Sequence, residues 1–134
     1  MAKRTAKGTR FVRAKSMTDC KSIVESLDTR IDAIIDDLVT IRHDLHAHPE
    51  LGYEENRTSK VIQDFLGELG IEHKAGLAKG PGVFAHLEGK GTSAIGLRAD
   101  IDALPIVEEN TFEWKSQHEG CMHACGHDGH TTIL

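Results

Sequence analysis

The sequence predicts the front of an α/β domain. Three observations carry that prediction: apolar residues at helical spacing from Ile23 to Leu45, short strand-like runs after Val83, and a helix beginning near Gly126 as the sequence stops. The length of 134 residues suits one small domain. A hydrophobic share of 39% and a charged share of 28% are those of an ordinary globular chain. Aromatic residues make up only 4%, so the expected core is aliphatic.

The elements follow in order. Residues 1–16 carry six basic side chains and no acid, which reads as a disordered tail or an upstream start ahead of Met17. The remainder, residues 17–134, then holds 10 basic against 21 acidic side chains. Such an acidic body is a poor ligand for nucleic acid, whose phosphates draw on Lys and Arg. Ser22 and Glu25 have capping-box spacing. Ile23, Leu27, Ile31, Ile34, Leu38, Ile41 and Leu45 recur in steps of three and four, which predicts one long amphipathic helix. Pro49 stops it near His46. A second helix is expected over Glu54 to Leu69, packing through Val61, Ile62, Phe65, Leu66 and Leu69, with Gly70 as its left-handed cap. Val83 to Leu87 and Ser93 to Arg98 read as strands joined at Gly89-Lys-Gly91. Asp100 to Pro105 leaves the second strand as a loop, and residues 106–120 are polar and irregular. The ending Thr-Thr-Ile-Leu134, inside an apolar run, is expected to be a truncation.

No apolar run approaches the length of a membrane span, and no signal-peptide core follows the N-terminus. With three cysteines and no export signal, the expected compartment is the reducing cytoplasm, without a disulfide framework. Nine histidines are the unusual feature of the composition. Residues 121–130 read Cys-Met-His-Ala-Cys-Gly-His-Asp-Gly-His, which places Cys121, His123, Cys125, His127, Asp128 and His130 within ten positions. Thiolate and imidazole bind borderline-soft ions such as zinc, cobalt or manganese, so metal binding is favoured over a solvated His-rich loop. A closed structural zinc knuckle of Cys121, Cys125, His127 and His130 can be drawn, although its ligands are cramped.

Met122-His-Ala-Cys-Gly-His-Asp-Gly-His130 resembles the metal-site signature of the aminoacylase, hippurate hydrolase and auxin-conjugate hydrolase branch of the aminoacylase/carboxypeptidase metallopeptidases. Arg42-His-Asp-Leu-His-Ala-His-Pro-Glu-Leu-Gly-Tyr-Glu54 resembles the opening motif of that family, and Gly96-Leu-Arg-Ala-Asp-Ile-Asp-Ala-Leu-Pro105 the segment before its metal site. The resemblance covers about residues 30–134. It implies the N-terminal part of a zinc-peptidase-like catalytic domain, with the lid domain lying beyond Leu134.

By this resemblance Cys125 and His127 are metal ligands, and Asp100 orients a ligand without binding metal directly. Related branches carry a metal-binding His where this chain has Arg98, a replacement usual where the Cys takes over a ligand role. Asp128, His130 and His123 are left as supporting residues, and Cys121 as incidental. The activity implied is hydrolysis of N-acyl amino acids to a carboxylic acid and an amino acid. Two divalent ions would activate a bridging water and polarise the amide carbonyl. The general-base glutamate, in a Glu-Glu pair, and a further ligand His would lie downstream of Leu134, so this chain alone is expected to be inactive. The partner implied is a small N-acyl amino acid, and the full-length protein would be a homodimer.

Glu108 and Glu109 form another Glu-Glu pair, but they precede the metal motif and read as a solvated face. His46-Ala-His48 mimics the His-x-His of barrel-type amidohydrolases, yet it ends a helix instead of following a buried strand. His73 and His86 read as ordinary surface or strand residues, and Lys79-Gly-Pro-Gly82 as a turn without a following helix to bind phosphate. The rival to an enzyme is a small metal-binding or interaction module, or the non-functional product of a truncated gene.

Overall fold

The computed structural model describes residues 17–134, so the expected basic tail lies outside the described residues. The chain divides into one unit ending at Ile35 and a second spanning Asp36–Leu134. Helix α1 spans Met17–Asp32 and α2 spans Ile35–Ala47. This corrects the single long helix read from the apolar stripe. Ala33 and Ile34 form a turn, in which the Ile34 N–H reaches back only three residues to Ile31 O at 3.0 Å. The charges suit a break there: Arg30 lies in the last turn of α1, and Asp36 and Asp37 in the first turn of α2. The Ser22–Glu25 pair lies inside α1, which already begins at Met17, so it is no capping box.

Helix α3, Asn56–Glu68, agrees with its expected span to within two residues. Its start is held from a distance. One carboxylate oxygen of Glu50 accepts the Arg57 N–H at 3.0 Å, and the other accepts the Thr58 N–H at 2.7 Å and the Thr58 hydroxyl at 2.9 Å. Its end closes as a Schellman motif: Ile71 N–H donates to Leu66 O at 2.8 Å and Gly70 N–H to Gly67 O at 3.0 Å. Gly70 takes the left-handed φ of 69° that this closure requires. Val61, Ile62 and Leu66 are half-buried, whereas Phe65 and Leu69 are exposed, so α3 packs through a narrower stripe than expected.

Helix α3 packs on a hairpin of β1, Glu72–Leu77, and β2, Gly82–His86. The two pair antiparallel, with Glu72 opposite His86 and Lys74 opposite Phe84. The expected strand at Val83 is therefore present, but its partner lies upstream in the chain. Residues 93–98 are not a strand, and Ile95 is 89% exposed. The upstream pairing depends on a turn in which two non-glycine residues, Ala78 (φ 56°) and Lys79 (φ 62°), take left-handed conformations. Gly82 closes that turn, since a Cβ there would lie 3.1 Å from Leu77 O.

The buried centre of the second unit is small and unusually polar. Leu45, Ala47, Pro49, Ala103 and Cys121 are buried beside His46, Glu55, Thr58, Ser59, His123 and Asp128. Backbone bonds tie its loops together: Ala103 N–H to Glu50 O at 2.7 Å, Gln117 N–H to Ala47 O at 2.8 Å, and Leu104 with Met122 in both directions. Helix α4, His127–Ile133, completes the described elements. The architecture is thus α/β, as expected, with four helices and a two-stranded sheet among the described residues. No described helix is long and apolar enough to cross a membrane.

Candidate metal centre

Cys125 and His127 flank Gly126, which precedes α4 with φ 87°. That left-handed turn carries the chain from the loop holding Cys125 into the helix begun by His127. The Cys125 thiol is exposed, and the His127 side chain is 15% exposed. His127 Nδ1 lies 2.9 Å from the backbone oxygen of Asp102 and 3.0 Å from its carboxylate Oδ1. Both partners only accept, so Nδ1 carries the proton and the lone pair is on Nε2. This is how protein metal sites commonly fix the tautomer and orientation of an imidazole ligand.

The orienting contact expected of Asp100 is therefore made by Asp102. The Asp100 carboxylate pairs with Arg98, while its backbone oxygen accepts the Thr131 hydroxyl at 3.2 Å. The two acids stand two residues apart on one segment, and spacing alone did not reveal which of them meets α4. The donor set of Cys125 Sγ and His127 Nε2 fits one edge of a metal centre. Among the described residues no group of three or more His, Cys, Asp or Glu side chains comes together to enclose an ion.

The other candidates serve different purposes. Asp128 is buried, with Oδ2 2.8 Å from His46 Nδ1 and 3.4 Å from Arg42 Nε. Burial favours its neutral form, but the bond from His46, the Gly129 N–H and the nearby His123 and Arg42 outweigh it, holding the carboxyl below its ordinary range. His123 is buried with neither ring nitrogen hydrogen-bonded, and burial pushes its pKa down. His130 is exposed, its ring 5.5 Å from that of His127, one turn back. Cys121 is buried; burial, with Glu50 and Glu54 nearby, pushes its thiol up. Among the described residues Cys121, Cys125, His127 and His130 do not come together as a ligand group, so the closed knuckle is not formed.

Glu108 is not part of a solvated face. Its side chain is 3% exposed, accepting from Ser116 N–H at 2.6 Å and Asn110 Nδ2 at 2.9 Å, with His46 Nε2 at 3.1 Å. Burial raises its pKa, and these bonds more than offset the rise, leaving it below the ordinary value. Glu109 is exposed, as expected. His46 and His48 do not converge. His46 faces two carboxylates, and His48 Nδ1 lies 2.8 Å from Asp44 O in its own helix. The contacts of Asp102, His46 and Glu108 around the candidate site are thus what sequence reasoning missed.

Residues 96–134 match peptidase family M20/M25/M40. The matched stretch includes Asp102, Cys125, His127 and Asp128. An uncharacterized hydrolase of Staphylococcus haemolyticus is 52% identical over 93 residues, which cover 69% of this chain and 24% of that protein. An uncharacterized hydrolase of Staphylococcus aureus (strain USA300) is 53% identical over the same length and shares. The chain spans about a quarter of the length of these curated relatives. Among solved structures, the Bacillus subtilis YXEP protein is described as a dinuclear metal binding peptidase from the M20 family. It superposes with a TM-score of 0.70 at 43% identity, over 75% of this chain and 29% of that one. A structure from methicillin resistant Staphylococcus aureus superposes with a TM-score of 0.75 at 36% identity, over 81% of this chain and 29% of that one. The described α/β fold is similar to part of that M20-family peptidase from Bacillus subtilis.

Proposed function

We propose that this chain is the N-terminal portion of a metal-dependent amidohydrolase that cleaves N-acyl amino acids, as in the aminoacylase and hippurate hydrolase branch. The observation carrying this reading is the His127–Asp102 pair, which turns Nε2 away from Asp102 on a residue two positions from Cys125, within the family-matching segment. Cys125 and His127 would hold zinc, manganese or cobalt. The dinuclear description of the Bacillus subtilis neighbour supports two ions in the complete protein. When bound, the metal would polarise the substrate amide and lower the pKa of a bound water. Asp102 holds the His127 ring, and Asp128 fixes the first turn of α4 through His46. Glu108 is fully engaged by Ser116, Asn110 and His46, so it is not a free base. With two donors among the described residues and Glu108 already engaged, negligible hydrolysis is expected of this chain alone.

The test has two arms. Zinc binding to the chain, followed by calorimetry, is expected to disappear in Cys125→Ser and in His127→Ala. The natural gene product, its length established by intact mass, is then assayed for amino acid release from N-acetyl and N-benzoyl amino acids against dipeptides. A product that binds zinc but cleaves only dipeptides would replace the amidohydrolase with a peptidase. Absence of zinc binding in the chain would remove the metal centre.

A further inference from the structure

We infer that His46 is a positioning residue for the Cys125–His127 donor pair, acting through Asp128; this rests on the metal-centre reading above. Helix α4 has only seven residues, too few to be stable without tertiary anchors. Its described anchors are side-chain contacts: His127 to Asp102, Thr131 to the backbone of Asp100, and Asp128 to His46 and Arg42. The His46 contact is the best formed at Asp128, at 2.8 Å between a side chain 10% exposed and one fully buried. The Arg42 contact is longer, at 3.4 Å, and comes from a side chain that is 56% exposed.

His46 does more than pair with one acid. Its Nε2 faces Glu108, and Glu108 holds the Ser116 backbone and Asn110. One imidazole therefore joins the last turn of α2, the 108–116 loop and the first turn of α4. Asp128 Oδ1 has no partner, so losing His46 would leave a buried carboxylate held only by the Gly129 N–H and the 3.4 Å contact with Arg42. A buried carboxylate short of partners shifts toward solvent. That shift displaces the residue next to His127 and the turn that carries Cys125.

Cobalt(II) titration of the 134-residue chain tests this, read by thiolate-to-cobalt charge-transfer absorption alongside far-ultraviolet circular dichroism. Wild type must give the absorption and Cys125→Ser must lose it. Failure of that control overturns the metal-centre reading and the His46 role together. Given the control, His46→Leu is expected to weaken cobalt binding by about 10–100-fold with its helical signal retained. His46→Gln, which keeps an N–H for Asp128, is expected to recover most of the loss. Unchanged affinity in His46→Leu overturns the positioning role while leaving the metal centre intact. If His46→Leu does not fold, a double-mutant cycle of His46→Ala with Asp128→Asn decides: overlapping losses support action through Asp128, and additive losses overturn it.

Discussion

His127 directs one ring nitrogen at Asp102 twice over, with the backbone oxygen at 2.9 Å and the carboxylate oxygen at 3.0 Å. The carboxylate adds charge to a bond that the backbone alone would make, strengthening its hold on the ring. Asp102→Ala is therefore expected to weaken zinc binding by about 10–100-fold. Asp100→Ala, which removes only the pairing with Arg98, should leave it nearly unchanged. Competition against a chelator ranks the two variants, and a larger loss in Asp100→Ala would reverse the assignment.

Glu108 gives the stability of the second unit a pH dependence of definite sign. Its folded pKa lies below its ordinary 4.5, so the folded state binds that proton less readily than the unfolded chain. The contribution is therefore full above about 4.5 and disappears as pH falls through the folded value. Urea midpoints should separate wild type from Glu108→Gln near neutrality and converge in acid. A gap of constant size down to low pH would mean that the carboxylate charge contributes nothing.

The start of α3 offers a test independent of metal. Glu50 satisfies two of the orphan N–H groups at that helix end and one hydroxyl. Glu50→Ala is expected to cost about 0.5–2 kcal/mol, as for other lost caps. Glu50→Gln, which keeps one acceptor oxygen, should cost less. Chemical denaturation measures both, and a neutral Glu50→Ala would show that water replaces the cap without loss.

The sequence disclosed what short-range chemistry controls. The α3 span and its Gly70 closure, the end of α2 ahead of Pro49, and the start of α4 at the Cys-Gly-His turn were all legible, because each rests on residues within a few positions. Long-range choices were not. Nothing local marks Ala78 and Lys79 as left-handed, so the hairpin was assigned to the wrong partner for β2. The apolar stripe continues across Ala33 and Ile34, so its period could not reveal the break there. Around the candidate site, the turn that sets Cys125 and His127 on either side of Gly126 was readable from its motif. The choice of Asp102 over Asp100 depends on a contact across 25 residues, and the burial of Glu108 on His46, 62 residues away. Charged residues in a polar run look solvated until a distant partner is placed beside them.

Gly126 links the two donors through backbone conformation. Its φ of 87° disfavours any L side chain, while no atom lies within 4 Å of where a Cβ would stand. Gly126→Ala therefore meets no clash, and its whole cost is the left-handed conformation, about 1–2 kcal/mol. The expected result is a modestly lower urea midpoint together with weaker cobalt binding. A lower midpoint with unchanged binding would separate the turn from the donor geometry.

Cys121 and Cys125 stand four residues apart in opposite environments. Cys125 is exposed, whereas Cys121 is 8% exposed with its thiol pushed up by burial, Glu50 and Glu54. The thiolate is the nucleophile, so access favours Cys125, and burial disfavours the thiolate of Cys121. Iodoacetamide at mildly alkaline pH should label Cys125 well ahead of Cys121 in the native chain, with the difference collapsing in urea. Zinc should then protect Cys125 and leave the Cys121 rate unchanged. The closed knuckle makes the contrary prediction, because a cage that uses both sulfurs would shield both. Peptide mass mapping of the labelled chain, with and without zinc, therefore separates an open two-donor edge from a closed structural site without any assay of catalysis.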